Sequence, residues 1–202
     1  MVRPARRPGA LHPVLDRGET MHTLATRCAV TGLLLAALLS PGHAQTVRWS
    51  ARGDAVSMDP FAFNEGLTNT INGHIYEQLA RVGRDQKIEP SLASCWTTIN
   101  DLTWRFKIRP GVKFHDGSPF TADDVVFSIL RGQQPTSQIN NYASAVGNPR
   151  KVDDLTVDFI LEKVNPIFLQ HLDALWMLNK AWAEKNKVTK PLDFKNKEES
   201  HA

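Results

Sequence analysis

His115 and Asp116 stand side by side in Lys113-Phe114-His115-Asp116-Gly117, and a histidine next to a carboxylate is the raw material of general acid–base catalysis. Neighbours on a strand point to opposite faces, so this pair is poorly placed to share a proton. Asp116-Gly117 is also a turn signal, and a structural turn is the preferred reading. The sequence contains no Gly-x-Ser-x-Gly elbow and no phosphate-cradling glycine loop. His74 and His171 have no partner at a metal-ligand spacing such as His-x-x-x-His. No cofactor and no metal is therefore expected. A secreted hydrolase built on His115 and Asp116 is kept as an alternative. Cys95 stands next to Trp96 and is expected to be a buried, inert thiol.

The elements that carry these residues are legible around them. Leu102, Trp104, Phe106 and Ile108 alternate with Thr103, Arg105, Lys107 and Arg109, which is the period of a half-buried strand with a wet cationic face. Pro110-Gly111 suits a tight turn, and Val112 to Phe114 starts a return strand. Thr121 can cap a helix, with Asp124 three residues on and Asp123 in the first turn. Val125, Val126, Ile129 and Leu130 form its apolar stripe, and Gly132 and Pro135 mark its end.

The 202-residue chain has a formal net charge of +3, but that excess is local. Ala29 to Leu39 is an apolar run with Arg27 before it and Pro41-Gly42-His43-Ala44 after it, the order of a cleavable secretory signal ending at Ala44. A bilayer span needs about 20 apolar residues, so a membrane anchor is the weaker reading. Met21 can serve as the start, leaving Met1–Thr20 as a disordered or mis-assigned extension. The leader 1–44 carries Arg3, Arg6, Arg7, Arg17 and Arg27 against Asp16 and Glu19, so the mature part 45–202 is neutral. The basic balance is no argument for nucleic acid. Cys28 leaves with the leader, which leaves Cys95 without an intrachain disulfide partner.

Along the mature part, Val47, Trp49 and Ala51 predict a first strand. Leu67, Ile71, Ile75 and Leu79 predict one helix that reaches Gly83 and carries His74 on its wet side. Pro90 to Ala93 reads as a helical turn, and Gly132 to Pro149 as a long polar excursion. Leu155, Val157, Phe159 and Leu161 predict a strand after Asp153-Asp154. Asn165-Pro166 opens a helix through Trp176 that partly buries His171, and Ala181 to Lys187 a shorter one. Strands mixed with helices in this order indicate an α/β or α+β lobe.

Several of these segments together resemble the peptide-type solute-binding receptors of ABC importers, solute-binding family 5. They are Ser57-Met58-Asp59-Pro60, Ile75-Tyr76-Glu77-Gln78-Leu79, Pro90-Ser91-Leu92-Ala93 with Trp96, and Trp104 through Gly117. Pro119 through Val125 and Val152 through Val157 complete the set. The resemblance implies an α/β type II periplasmic binding protein of two lobes that close over a ligand, of which this chain supplies part of the first lobe. It implies a periplasmic, monomeric receptor that passes a peptide or other small solute to an inner-membrane ABC permease, with no enzymatic step. Half of such a clamshell cannot close on a ligand, so a truncated, non-functional fragment is the alternative.

The resemblance also places Asn64, Glu65 and Gly66 in a loop lining the cleft. Asn offers donors and an acceptor, Glu can meet an ammonium, and Gly admits a close backbone. The alternative reading of the same three residues is a helix-start loop, with Asn64 as cap and Gly66 as turn. Tyr142 falls where some members present an aromatic to the peptide, and it reads equally as a packing aromatic.

Overall fold

The computed structural model describes residues 50–193, and the leader and the residues at 47–49 that would begin the first strand lie outside that range. Eleven elements follow one another: α1 (Gly66–Asn72), β1 (Ala80–Val82), β2 (Ile88–Pro90), β3 (Ala93–Asn100), β4 (Thr103–Ile108), α2 (Ala122–Gly132), α3 (Asn140–Ala145), β5 (Asn148–Asp153), β6 (Thr156–Ile160), α4 (Phe168–Leu172) and α5 (Lys180–Lys185). β1 and β2 form a two-stranded ribbon, and the other strands form a four-stranded sheet in the order β3-β4-β6-β5. Every strand pair among the described residues is antiparallel.

The register explains the alternation seen in the sequence. Phe106 lies opposite Trp96 and Val157, and Trp104 opposite Phe159. These side chains fall on one face and meet Phe168 from α4. Phe106 and Phe159 touch edge-on at 5.4 Å, and Trp104 stacks on Phe168 at 5.0 Å. Val125 and Ile129 of α2 close the same core, fully buried. Leu130, placed on the apolar stripe by its spacing, is exposed instead. Thr121 donates from its backbone N–H to Asp124 Oδ2 (2.9 Å), as the cap signal predicts.

The opposite face of the sheet is not simply wet. Arg105 lies opposite Asp158, and Asp158 lies opposite Arg150, so three charges form a row across β4, β6 and β5. Arg105 grips Asp158 with Nε and a terminal nitrogen (2.7 and 2.9 Å), and Arg150 adds a third bond at 3.2 Å. Lys107 donates to Thr156 in the next row.

Six further expectations need correction. The helix predicted from Leu67 to Gly83 ends at Asn72, because Gly73-His74 turns the chain and leaves His74 in a turn. Leu79 then lies at a bend just before β1, and its carbonyl accepts the backbone N–H groups of Ser91 and Ala93. That pairing also makes Pro90 to Ala93 the junction of β2 and β3 rather than a helical turn. The return strand from Val112 shrinks to one bridge between Lys113 and Pro119, closed by the Gly111 and Gly117 turns.

The polar excursion from Gly132 to Pro149 contains α3 and the start of β5. Its short helix leaves only Ala143 buried, too few apolar positions for a periodic signal. The helix after Pro166 stops at Leu172, since the Asp173 carboxylate accepts from Val82 N–H (2.8 Å) and Met177 N–H donates to Glu77 (2.9 Å). Cys95 is exposed on β3 in place of the buried thiol expected. β3 is an edge strand, and its register sets Cys95 opposite Lys107 on the charged face. The expected Asp116-Gly117 turn forms, the strand predicted from Leu155 to Leu161 forms as β6, and the helix predicted from Ala181 to Lys187 forms as α5.

Candidate functional site

The corner Asn64-Glu65-Gly66 is exposed and forms the start of α1. Glu65, not Asn64, is the cap: its two carboxylate oxygens accept the N–H groups of Leu67 and Thr68, both at 2.9 Å. Those two bonds, Leu67 first, hold the Glu65 carboxyl below its ordinary range. Asn64 Oδ1 accepts from the Asn69 amide at 2.9 Å. A Cβ at Gly66 would meet no atom within 4 Å, so nothing among the described residues crowds that position.

Tyr142 projects from α3 and is 39% exposed. Its ring meets His171 edge-on at 5.8 Å, and the Asn165 side-chain nitrogen lies 3.1 Å from His171 Nδ1. Asn165 also donates to Ala145 O, tying the end of α3 to the segment before α4. Burial lowers the pKa of His171, which favours the neutral ring. No hydrogen bond or ring contact among the described residues joins Tyr142 to the 64–66 corner.

His115 and Asp116 lie in a turn at the rim of a groove of about 380 Å³, lined by Tyr76, Leu92, Phe114, Met177 and Trp182. Asp116 accepts from the Ser118 N–H and hydroxyl (2.9 and 2.6 Å) and from the Asn179 amide (3.2 Å). The Ser118 bonds lead in holding its carboxyl below the usual range. Asp116 thus pins the turn to the segment before α5. Among the described residues no group of three or more His, Cys, Asp or Glu side chains is placed to hold a metal ion. No helix there is long and apolar enough to cross a membrane.

One polar centre has no counterpart in the sequence reading. Arg131, in the last turn of α2, and Asp59 are only 3% and 2% exposed and pair through two bonds of 2.8 and 2.7 Å. Arg131 also sits over the Phe61 ring at 5.5 Å. Asp59 accepts the Phe61 N–H as well, at 3.1 Å. The neighbouring Tyr76 phenol has its pKa raised, first by burial and then by Asp59, with Arg131 opposing. The sequence held one available signal: Arg131 follows Ser128 at helical spacing on the buried side of α2, where a solvated arginine would not fit.

Residues 87–198 match the family described as bacterial extracellular solute-binding proteins, family 5 Middle. The glutathione-binding protein GsiB of Pectobacterium atrosepticum is 32% identical over 150 residues, covering 69% of this chain and 29% of GsiB. The dipeptide-binding protein of Escherichia coli is 32% identical over 167 residues, covering 70% of this chain and 31% of that one. Among solved structures, NikZ from Campylobacter jejuni in complex with Ni(L-His) aligns with a TM-score of 0.58 at 26% identity, over 68% of this chain and 28% of NikZ. The chain spans less than a third of the length of these curated relatives. With more than half of its residues matched, the chain belongs to the bacterial extracellular solute-binding proteins of family 5.

Proposed function

We propose that this chain is the first-lobe portion of a receptor that captures a peptide or similar small solute without covalent chemistry and delivers it to an ABC importer. The observation that carries this reading is the family match over 87–198, on a fold that aligns with NikZ. Glutathione, a dipeptide and Ni(L-His) are what the names of the similar proteins say they bind, so a small zwitterionic or peptide-like solute is the class to test. Met21–Ala44 serves as the export signal, the receptor works in the periplasm as a monomer, and the membrane permease is its partner.

Asn64, Glu65, Gly66 and Tyr142 are the ligand-contacting residues of this lobe. Their exposure supports this, as does the open space beside Gly66, where a ligand backbone can approach. Each Glu65 oxygen keeps a second lone pair after capping α1, enough to meet a ligand ammonium. Tyr142 is backed by His171 and offers a ring edge at low entropic cost.

The test is a tryptophan-fluorescence titration of a receptor of the relatives' length with dipeptides, glutathione and Ni(L-His). One pool should give a saturable response, and Tyr142→Ala or Gly66→Val should weaken it by about tenfold or more without changing Tm. A folded receptor blind to every pool would defeat the proposal. Recovery of the ligand in altered form, with turnover lost in His115→Ala, would instead point to a secreted hydrolase.

A further inference from the structure

The buried Asp59–Arg131 pair does more than neutralise itself. Arg131 Nε donates to Val188 O (3.2 Å) and a terminal nitrogen to Lys190 O (3.0 Å). Leu192 N–H donates to Asp59 Oδ2 (3.3 Å), and the Thr136 hydroxyl donates to Pro191 O (3.0 Å). Every one of these bonds goes to main chain of residues 188–192. That segment is neither helix nor strand, and it lies across the C-terminal end of α2.

The balance of forces on this strap is unusual. Breaking a buried ion pair by removing one member strands a charge. Lifting the strap strands nothing, because Asp59 and Arg131 keep both of their mutual bonds and gain water. The solvation recovered offsets part of what opening costs, namely these four bonds, the Val188 N–H bond to Ala183 O (2.9 Å) and the burial of Pro191. Meanwhile the four-stranded sheet keeps its own ladders, since none of them runs through 188–192. Local opening of this kind lies below global unfolding in free energy.

We propose that Asp59–Arg131 is a latch for residues 188–192, and that the strap opens as a separate unit while the rest of the lobe stays folded. The latch reads backbone only, so it fixes the path of the chain without demanding particular side chains. It stands independently of the function proposed above. Asp59 also lies five residues before the Asn64 corner, so latched and open states differ at both ends of one polar centre.

Native-state hydrogen exchange on the full chain tests this, with trypsin nicking after the exposed Lys187 as a second readout. In the wild type the Leu192 amide should exchange faster than the β6 amides but more slowly than an unprotected one. Thr136→Val leaves the ion pair whole and removes one strap bond, and it should speed exchange and nicking in the strap several-fold with β6 unchanged. Arg131→Met should raise strap opening on the order of tenfold or more, the size of a lost charge-assisted bond. If strap and β6 exchange at one common rate and accelerate together in Thr136→Val, the strap belongs to the global unit and the latch is refuted. An unprotected Leu192 amide in the wild type refutes it equally, because then nothing holds the strap.

Discussion

Replacing Arg131 with methionine keeps most of the aliphatic stem and removes the guanidinium. The Asp59 carboxylate, 2% exposed, is then left with only the Phe61 and Leu192 N–H groups. Two bonds to Asp59, two to strap carbonyls and the contact over Phe61 disappear together. Removing one partner of a buried pair costs about 3–5 kcal/mol. That is about a fifth or more of the ~5–15 kcal/mol that keeps a domain folded. Asp59→Leu should cost a similar amount, because it strands the arginine. The double variant should cost no more than the worse single one, so the coupling should be about 3 kcal/mol or more, because neither charge then remains unpaired. Urea unfolding followed by tryptophan fluorescence gives all four corners of the cycle, with m held constant as the check on compactness. Additive single effects, or single effects below about 1 kcal/mol, would show that water reaches the pair and that its burial is not what makes it matter.

Asp158 gives a pH-dependent counterpart. Arg105 chiefly, then Arg150, hold its carboxyl below the usual range against the opposing effect of burial. A depressed folded pKa contributes stability that is full above the unfolded value, about 3.9, and is lost as pH falls through the lower folded value. The destabilisation caused by Arg105→Met should therefore be largest near pH 7 and shrink below about pH 4, as seen by Tm against pH. A constant difference across that range would mean that Asp158 is not the group served. Gly147 sits at φ 74° with no room for a Cβ against the Ile160 carbonyl, so Gly147→Ala should lower Tm more than any other Gly→Ala change on the sheet side. Cys95 should react with a thiol reagent in the native state as fast as in urea, and protection of the thiol would overturn its placement on the open face of β3.

The parts of the fold visible in the sequence are those where a single local rule decides. Trp104 and Phe106 alternate with Arg105 and Lys107 because one face packs on Phe168 and the other carries the charge row. Thr121 and Asp124 announce α2 because the cap bonds lie within three residues. The failures lie where a distant partner overrides the local rule. Ile75 and Leu79 continue the four-residue spacing of Leu67 and Ile71, yet Leu79 is claimed by Ser91 and Ala93 across the ribbon. Cys95 looked buried because free cysteines usually are, and only the strand order, with β3 at the edge, exposes it. Of the candidate site, the exposure of the 64–66 corner and the turn at His115 were legible. That Glu65 takes the capping role required its two backbone bonds, since glutamate is not among the preferred cap residues.

Asp59 and Asp158, the two buried carboxylates paired with arginine among the described residues, divide the polar work of the lobe by sequence distance. Asp158 meets Arg150, eight residues away on the neighbouring strand, as soon as the β5–β6 hairpin closes, and Arg105, 53 residues away, joins when β4 docks on β6. Asp59 must wait for Arg131, 72 residues on, and for Leu192, 133 residues on. Loop-closure entropy makes the second set the later one to form and the earlier one to open. Mutations at Asp158 should then slow folding, whereas mutations at Asp59 and Arg131 should mainly speed unfolding. Chevron kinetics on Asp158→Asn and Arg131→Met can separate the two. If Arg131→Met slows folding as much as it speeds unfolding, the long-range pair belongs to the nucleus, and the order argued here from loop length is wrong.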